Sequence, residues 1–181
     1  RLLPGISGRD ISMTRAFQSD LEKEREKTFH NDAICTALYR PFNKTNCYFH
    51  PSLNEMVYKM LSIFPENDSH NVVICLPGVG STKEFSVHIT NVVRDLDTYG
   101  GMQCFPLYYY EKRSVYQPTL FDGESNAQYT RKDGITNFIL ERCRESYGPK
   151  VTKEDIFYYV YGLLHSPDYC KTFAADLKKM L

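Results

Sequence analysis

Val72-Val73-Ile74-Cys75-Leu76 is an unbroken apolar run that stops at Pro77-Gly78. A short run of this kind, rich in β-branched side chains and closed by turn residues, specifies a strand covered on both faces. A chain holding such a strand must supply two further layers to cover it. Candidates lie close by. Residues 33–42 fit either a strand or a short helix, and Pro41 forces Arg40 out of the helical region. Cys47-Tyr48-Phe49 is a short strand candidate, and Phe85-Ser86-Val87-His88-Ile89 alternates as a half-buried strand does. Residues 103–110 are aromatic-rich and read as strand, with Pro106 arguing for an edge or a bulge. Residues 111–132 are polar and read as irregular. Helical spacing appears at 14–29, at 53–64 and through the last 50 or so residues. There Ile135, Phe138, Ile139 and Cys143 form one stripe, stopped by Gly148-Pro149. Thr152-Lys153-Glu154-Asp155 resembles a capping box, and Ser166-Pro167 opens a last helix with Tyr169, Phe173 and Leu177 on its apolar face. Strands in the middle and helices at the end argue an α+β fold: a mixed central β-sheet, flanking helices and a helical C-terminal subdomain. The expected division is 1–35 as a linker or helix from a preceding region, 36–132 as the core, and 133–181 as a helical part packing on it.

The charge balance is even, with 22 Lys and Arg against 22 Asp and Glu in 181 residues. Nucleic-acid-binding domains are usually basic overall, so neutrality leaves only a local stripe for that purpose. No apolar run approaches the roughly 20 residues of a membrane helix, and the opening apolar stretch is too short for a signal peptide. The expectation is a cytoplasmic chain with no membrane contact. The missing initial Met and the helical pattern running to Leu181 suggest a piece of a longer protein. Six cysteines are present, none in a CxxC pair. Cys35, Cys75, Cys104 and Cys143 lie in apolar runs and read as small buried hydrophobes in a reducing compartment.

Familiar catalytic patterns are absent. Gly78-Val79-Gly80-Ser81-Thr82-Lys83 follows a strand, yet Thr82 stands where a phosphate loop needs glycine before its lysine. The dinucleotide fingerprint fails too, because Lys83 occupies the third glycine position. A tight turn is the plain reading, with a backbone and Lys83 contact to a DNA phosphate as the other. The five histidines show no tight metal spacing. Asp95-x-Asp97 reads as a solvated turn. No nucleophile, base and orienting group assemble. Aromatic residues interleaved with bases do stand out. Arg40, Lys44, Tyr48, His50, Tyr58 and Lys59 form one group. Tyr108, Tyr109, Tyr110, Lys112, Arg113 and Tyr116 form another, with Arg131 and Lys132 nearby. Such segments can supply both phosphate contacts and base-edge readers. They equally describe an ordinary mixed surface with tyrosines half in the core.

Several stretches together resemble one known family. They are Leu38-Tyr39-Arg40-Pro41-Phe42-Asn43-Lys44 through Cys47-Tyr48-Phe49, Asn54-Glu55-Met56-Val57-Tyr58, Ile63-Phe64-Pro65, residues 74–80, and Gln103-Cys104-Phe105-Pro106-Leu107-Tyr108. The most specific is residues 152–169, from Thr152-Lys153-Glu154-Asp155 to His165-Ser166-Pro167-Asp168-Tyr169. Over roughly 36–181 the chain resembles the C-terminal specificity domain of Type ISP restriction–modification enzymes. Thr45-Asn46, Asn91 and Arg94 depart from the family pattern, which has Asp and Pro at the last two. The resemblance implies a DNA target-recognition core at 36–132. It also implies a parent protein with a nuclease, an ATP-driven translocase and an adenine-N6 methyltransferase upstream. S-adenosylmethionine, ATP and Mg2+ would serve those parts, and no cofactor or metal is expected in this segment. The implied partners are double-stranded DNA and the methyltransferase domain of the same chain. Arg40, Lys44, Lys83, Lys112, Arg113, Arg131 and Lys132 are then candidates for phosphates or base edges, with Asn46 and Gln103 as further readers and no catalytic residue. The alternative is a docking module that positions the methyltransferase and binds no DNA by itself. One contiguous basic face would favour DNA, and scattered charges would favour docking.

Overall fold

The computed structural model describes residues 15–40, 43–54, 57–66, 69–78, 81, 84–94, 102–113 and 128–179. In chain order these form α1 (Arg15–Glu22), β1 (Ile34–Arg40), β2 (Asn43–Tyr48), α2 (Met60–Ile63), β3 (Val73–Pro77), β4 (His88–Thr90), β5 (Val93–Arg94), β6 (Met102–Pro106), β7 (Tyr108–Lys112) and β8 (Tyr129–Asp133). Four helices follow: α3 (Asn137–Tyr147), α4 (Lys153–Leu164), α5 (Pro167–Thr172) and α6 (Ala174–Lys179).

β3 is buried along its whole length, because alternate side chains enter two different apolar clusters. Val73 and Cys75 join Ala37, Val93, Met60, Ile63 and Phe64. Ile74 and Leu76 join Val87, Leu107 and Phe157 of α4. A strand with no solvent face has no reason to alternate, which accounts for its unbroken apolar sequence.

The α+β organisation holds, but the strands are shared among three small sheets instead of one central sheet. Their orders are β2-β1-β5, β4-β3-β6 and β7-β8. The first is mixed, with β1 antiparallel to β2 and parallel to β5. The division between the second and third is made by one buried side chain. Asn71, 4% exposed, accepts from the Tyr108 N–H (3.1 Å) and donates to the Tyr108 carbonyl (2.6 Å). It also donates to the Ile63 carbonyl and accepts from the Val72 N–H. All four of its hydrogen-bonding capacities are used. Tyr108 therefore spends its backbone groups on a side chain and not on a continued β3 ladder. One residue earlier, the Leu107 N–H still bonds the Val72 carbonyl, while the Leu107 carbonyl accepts from Gly134 beside β8. The chain changes sheets at Leu107.

Pro106 sits on β6, the edge strand that its missing N–H requires. The Leu107-to-Val72 hydrogen bond marks that pair as hydrogen-bonded, so Pro106, opposite Val73, falls at a position where no ladder bond is asked of it.

Several elements differ in extent from their sequence signal. Among the described residues, the helical spacing over 53–64 yields helix at Met60–Ile63. Tyr58 takes φ +44°, a left-handed conformation that no helix continues through. α1 ends at Glu22, and Glu24 takes φ +50° just beyond it. β8 lies in a stretch that reads as polar and irregular, because pairing with β7 and not apolar alternation makes it a strand. The last helix breaks at Phe173, and of its expected apolar face only Leu177 is buried. The stripe on α3 is not a buried face either: Phe138 is 63% exposed and Ile139 is also exposed. The helix ends agree with their signals. Thr136 and Ser166 cap α3 and α5, Thr152 and Asp155 form a reciprocal capping box on α4, and Gly148 takes φ +103° after α3. The six cysteines are free thiols; Cys75 is buried and the others are partly so. No helix among the described residues is long and apolar enough to cross a membrane.

Candidate nucleic-acid interface

The β1–β2 hairpin has an inner and an outer face, fixed by strand alternation. Cys35, Ala37 and Cys47 point toward the first apolar cluster. Lys44, Asn46 and Tyr48 therefore share the opposite face, with Leu38, Thr36 and Ile34 directly across from them. Lys44 and Asn46 are exposed. At the end of β2 this face continues into a group of rings. Phe29 stacks on Tyr48 at 5.1 Å and His30 stacks on His50 at 4.6 Å. The His30 N–H donates to the Tyr48 hydroxyl (3.2 Å). Ser52 locks His50 by donating its N–H to Nδ1 (3.1 Å), leaving Nε2 as the ring's other hydrogen-bonding atom. Lys27 donates to the Ser52 carbonyl at 2.8 Å and is also paired with Asp20. Arg40 closes β1 opposite Asn43, where the register shifts in a bulge.

The β7–β8 hairpin carries four more of the candidate cations, and the register divides them. Tyr108, Tyr110 and Lys112 share a face with Asp133, Arg131 and Tyr129. Tyr109, Glu111 and Arg113 share the other with Lys132 and Thr130. On the first face the Arg131 guanidinium lies 4.3 Å over the Tyr108 ring, whose hydroxyl donates to Glu154 of α4. Burial, with the Glu154 carboxylate next, pushes the Tyr108 phenol above its ordinary value. On the second face Lys132 pairs with Glu111 at 4.0 Å, and Arg113 Nε donates to Thr130 Oγ1 at 3.1 Å.

The two hairpins meet at a polar cleft of about 510 Å3, where Lys112 and Tyr129 line one side and Asp32, Thr36 and His50 another. The fold thus brings Lys112 to Thr36 and His50, while Lys44 and Asn46 lie outside that cleft. It does not bring Gln103 there. Gln103 is half-buried on β6, in a different sheet, opposite Leu76. Tyr58 and Lys59 turn to a second, apolar cleft of about 980 Å3 beside Phe105, Tyr109 and Phe157. Lys83 and the Asp95-x-Asp97 pair lie outside the described residues. Among the described residues, then, the cations form no single stripe. Phe29 and His30 were invisible as members of the site, since only the register of β2 brings Tyr48 and His50 to them. Arg94 is buried on β5 beside Cys75 and His88. No group of three or more His, Cys, Asp or Glu side chains suited to a metal occurs among the described residues.

Small sheets presenting basic and aromatic hairpins, backed by capped helices, describe a recognition domain. The family model for the Type ISP C-terminal specificity domain matches residues 5–181, and the chain belongs to that family. Three solved structures are similar over nearly the whole chain. The ATP-dependent Type ISP restriction–modification enzyme LlaBIII bound to DNA matches 95% of it, with 30% identity and a TM-score of 0.75. The cryo-electron-microscopy structure of the DrdV–DNA complex matches 96%, with 36% identity and a TM-score of 0.77. A nuclease-deletion mutant of the Type ISP enzyme LlaGI with a DNA substrate mimic matches 96%, with 32% identity and a TM-score of 0.69. The matched region spans 11%, 16% and 14% of those chains respectively. No curated protein matches the chain.

Proposed function

We propose that this specificity domain reads a double-stranded DNA target for a restriction–modification enzyme and performs no catalysis itself. Nuclease, translocase and adenine-N6 methyltransferase activities, with their ATP, Mg2+ and S-adenosylmethionine, belong in this reading to other parts of a longer polypeptide. The observation that carries it is the outer face of β1–β2, where the exposed Lys44 and Asn46 stand in step with Tyr48. A two-stranded ribbon fits the major groove of B-DNA, where Asn pairs with adenine and Lys reaches guanine or phosphate. The three similar structures, each determined with DNA or a DNA mimic, support the same reading. Exposed Phe138, Ile139, Tyr158 and Tyr159 on α3 and α4 favour a second role for the same domain, docking against the methyltransferase.

Selection from a randomised duplex pool at low and moderate salt tests the proposal. Enrichment of one motif that survives added salt is the expected result. Sequence-blind binding that vanishes with salt would reduce the role to phosphate contact. No binding at all would leave docking as the domain's function.

A further inference from the structure

We propose that Cys75 and Cys104 form a redox-convertible dithiol that closes into a disulfide between β3 and β6. The two residues are directly opposed in the antiparallel ladder, and their sulfurs lie 3.7 Å apart. The hydrogen bond from Leu107 to Val72 sets the phase of that ladder. Cys75 and Cys104 lie three residues along from it, an odd step that puts them at a non-hydrogen-bonded position, where opposed Cα atoms approach to about 4.5 Å and side chains are closest. That separation falls within the range of about 4.4–6.8 Å that a disulfide bridges, so the backbone need not move for the bond to form. Cys35 and Cys47 are also directly opposed, in the first sheet. The hydrogen bond from Phe49 to Ala33 puts them at the wider, hydrogen-bonded kind of position.

The surroundings also distinguish the two sulfurs. The hydrogen bond with Cys104 and the buried Arg94 guanidinium pull the Cys75 thiol below its ordinary value, against the effect of burial. Cys104 is pushed up, first by that same hydrogen bond and then by burial. Of the two sulfurs, Cys75 is therefore the one whose deprotonation to the reactive thiolate its neighbours favour. Cys75 is 1% exposed, and Cys104, half-buried against the same cluster, is the more open of the two, so a small oxidant reaches the Cys75 sulfur past Cys104.

With a hydroperoxide as oxidant the chemistry balances. The Cys75 thiolate attacks one peroxide oxygen, the O–O bond breaks, and the departing hydroxide takes up the proton that Cys75 released, giving water and a sulfenic acid. The Cys104 sulfur then attacks the sulfenic sulfur. The S–S bond forms, and the Cys104 proton leaves with the hydroxyl as a second water. Two thiols are oxidised by two electrons, and one peroxide is reduced to two waters.

The test is to treat the native protein with hydrogen peroxide, remove the peroxide, unfold the protein in urea with iodoacetamide present to block the remaining thiols, and map the peptides by mass spectrometry. Alkylatable thiols should fall from six to four. One crosslinked peptide should join Cys75 to Cys104, lighter by two hydrogens and released by dithiothreitol. Cys104→Ser should abolish the crosslink, and Cys47→Ser should leave it intact. The wild-type map decides the matter alone if a variant fails to fold. Six thiols still alkylatable after peroxide treatment of the folded protein and unfolding, a crosslink joining Cys35 to Cys47 instead, or Cys104 ending as sulfinic acid beside a still alkylatable Cys75 would each overturn the proposal.

Discussion

Asn71 does more for this fold than any other polar side chain described. It joins α2, the start of β3 and β7 through four hydrogen bonds in a site closed to water. Asn71→Ala leaves buried backbone groups of Ile63, Val72 and Tyr108 without these partners, at a cost of about 3 kcal/mol. Urea unfolding with an unchanged slope checks it. Gly134 is constrained by space: an added Cβ would fall on the Pro106 carbonyl oxygen, which is backbone and cannot turn aside. Gly134→Ala should cost roughly 1–3 kcal/mol, as overpacking does, and weaken the β6–β7 junction first. His88 gives the fold a pH dependence. Burial, then Arg94 and then His165, hold its imidazole below the ordinary 6.5. Above that pH both folded and unfolded chains carry it neutral. Below it the unfolded chain takes up a proton that the folded chain resists, so stability falls as pH drops from 6.5 through the folded value. His88→Gln should flatten that part of a stability–pH profile. A profile unchanged by the substitution would remove His88 as its source.

At the scale of elements, α4 is held at its start by the Thr152–Asp155 capping box and along its length by Phe157, Tyr161 and Leu164 against the second cluster. Thr152→Ala should cost about 1 kcal/mol. The Thr152 hydroxyl, then its N–H, hold the Asp155 carboxyl below the usual carboxylate range. Its contribution is present above pH 3.8 and is lost as pH falls through the lower folded value. In the Thr152→Ala protein the hydroxyl's share of that acid sensitivity should disappear. The β7–β8 hairpin makes a separate prediction. Its cations lie on two faces, so one DNA surface cannot meet all four at close range. Alanine at Lys112 and Arg131, or at Arg113 and Lys132, should flatten the salt dependence of binding by up to about two units for one pair only. Equal effects from both pairs would mean that the hairpin is enclosed by DNA.

For the whole molecule, the proposed reading separates two kinds of loss. Lys44→Ala should weaken all DNA sequences alike and reduce the salt slope by about one unit. Asn46→Ala should relax one position of the target at a cost of ~1–3 kcal/mol. Binding of the two variants to a panel of single-base target changes distinguishes them. Uniform loss from Asn46→Ala would demote it from reader to positioning contact.

Local signals determined a good deal of this protein. The β3 run, the threonine and serine caps, Gly148 and the edge position of Pro106 all express chemistry between near neighbours, and so does the order of strands before helices. Family membership was also legible, because it rests on residue identities and not on geometry. Only the tertiary structure decided which strands share a sheet. Pairing and register join residues far apart in sequence, and a strand such as β8, with no apolar alternation, declares itself only through its partner. Register likewise decided which cations share a face, splitting Lys112 and Arg131 from Arg113 and Lys132, and it brought Phe29 and His30 to Tyr48 and His50. The exposed stripe on α3 makes the same point in reverse. Helical periodicity records that a face is apolar, and the tertiary packing alone shows what covers it.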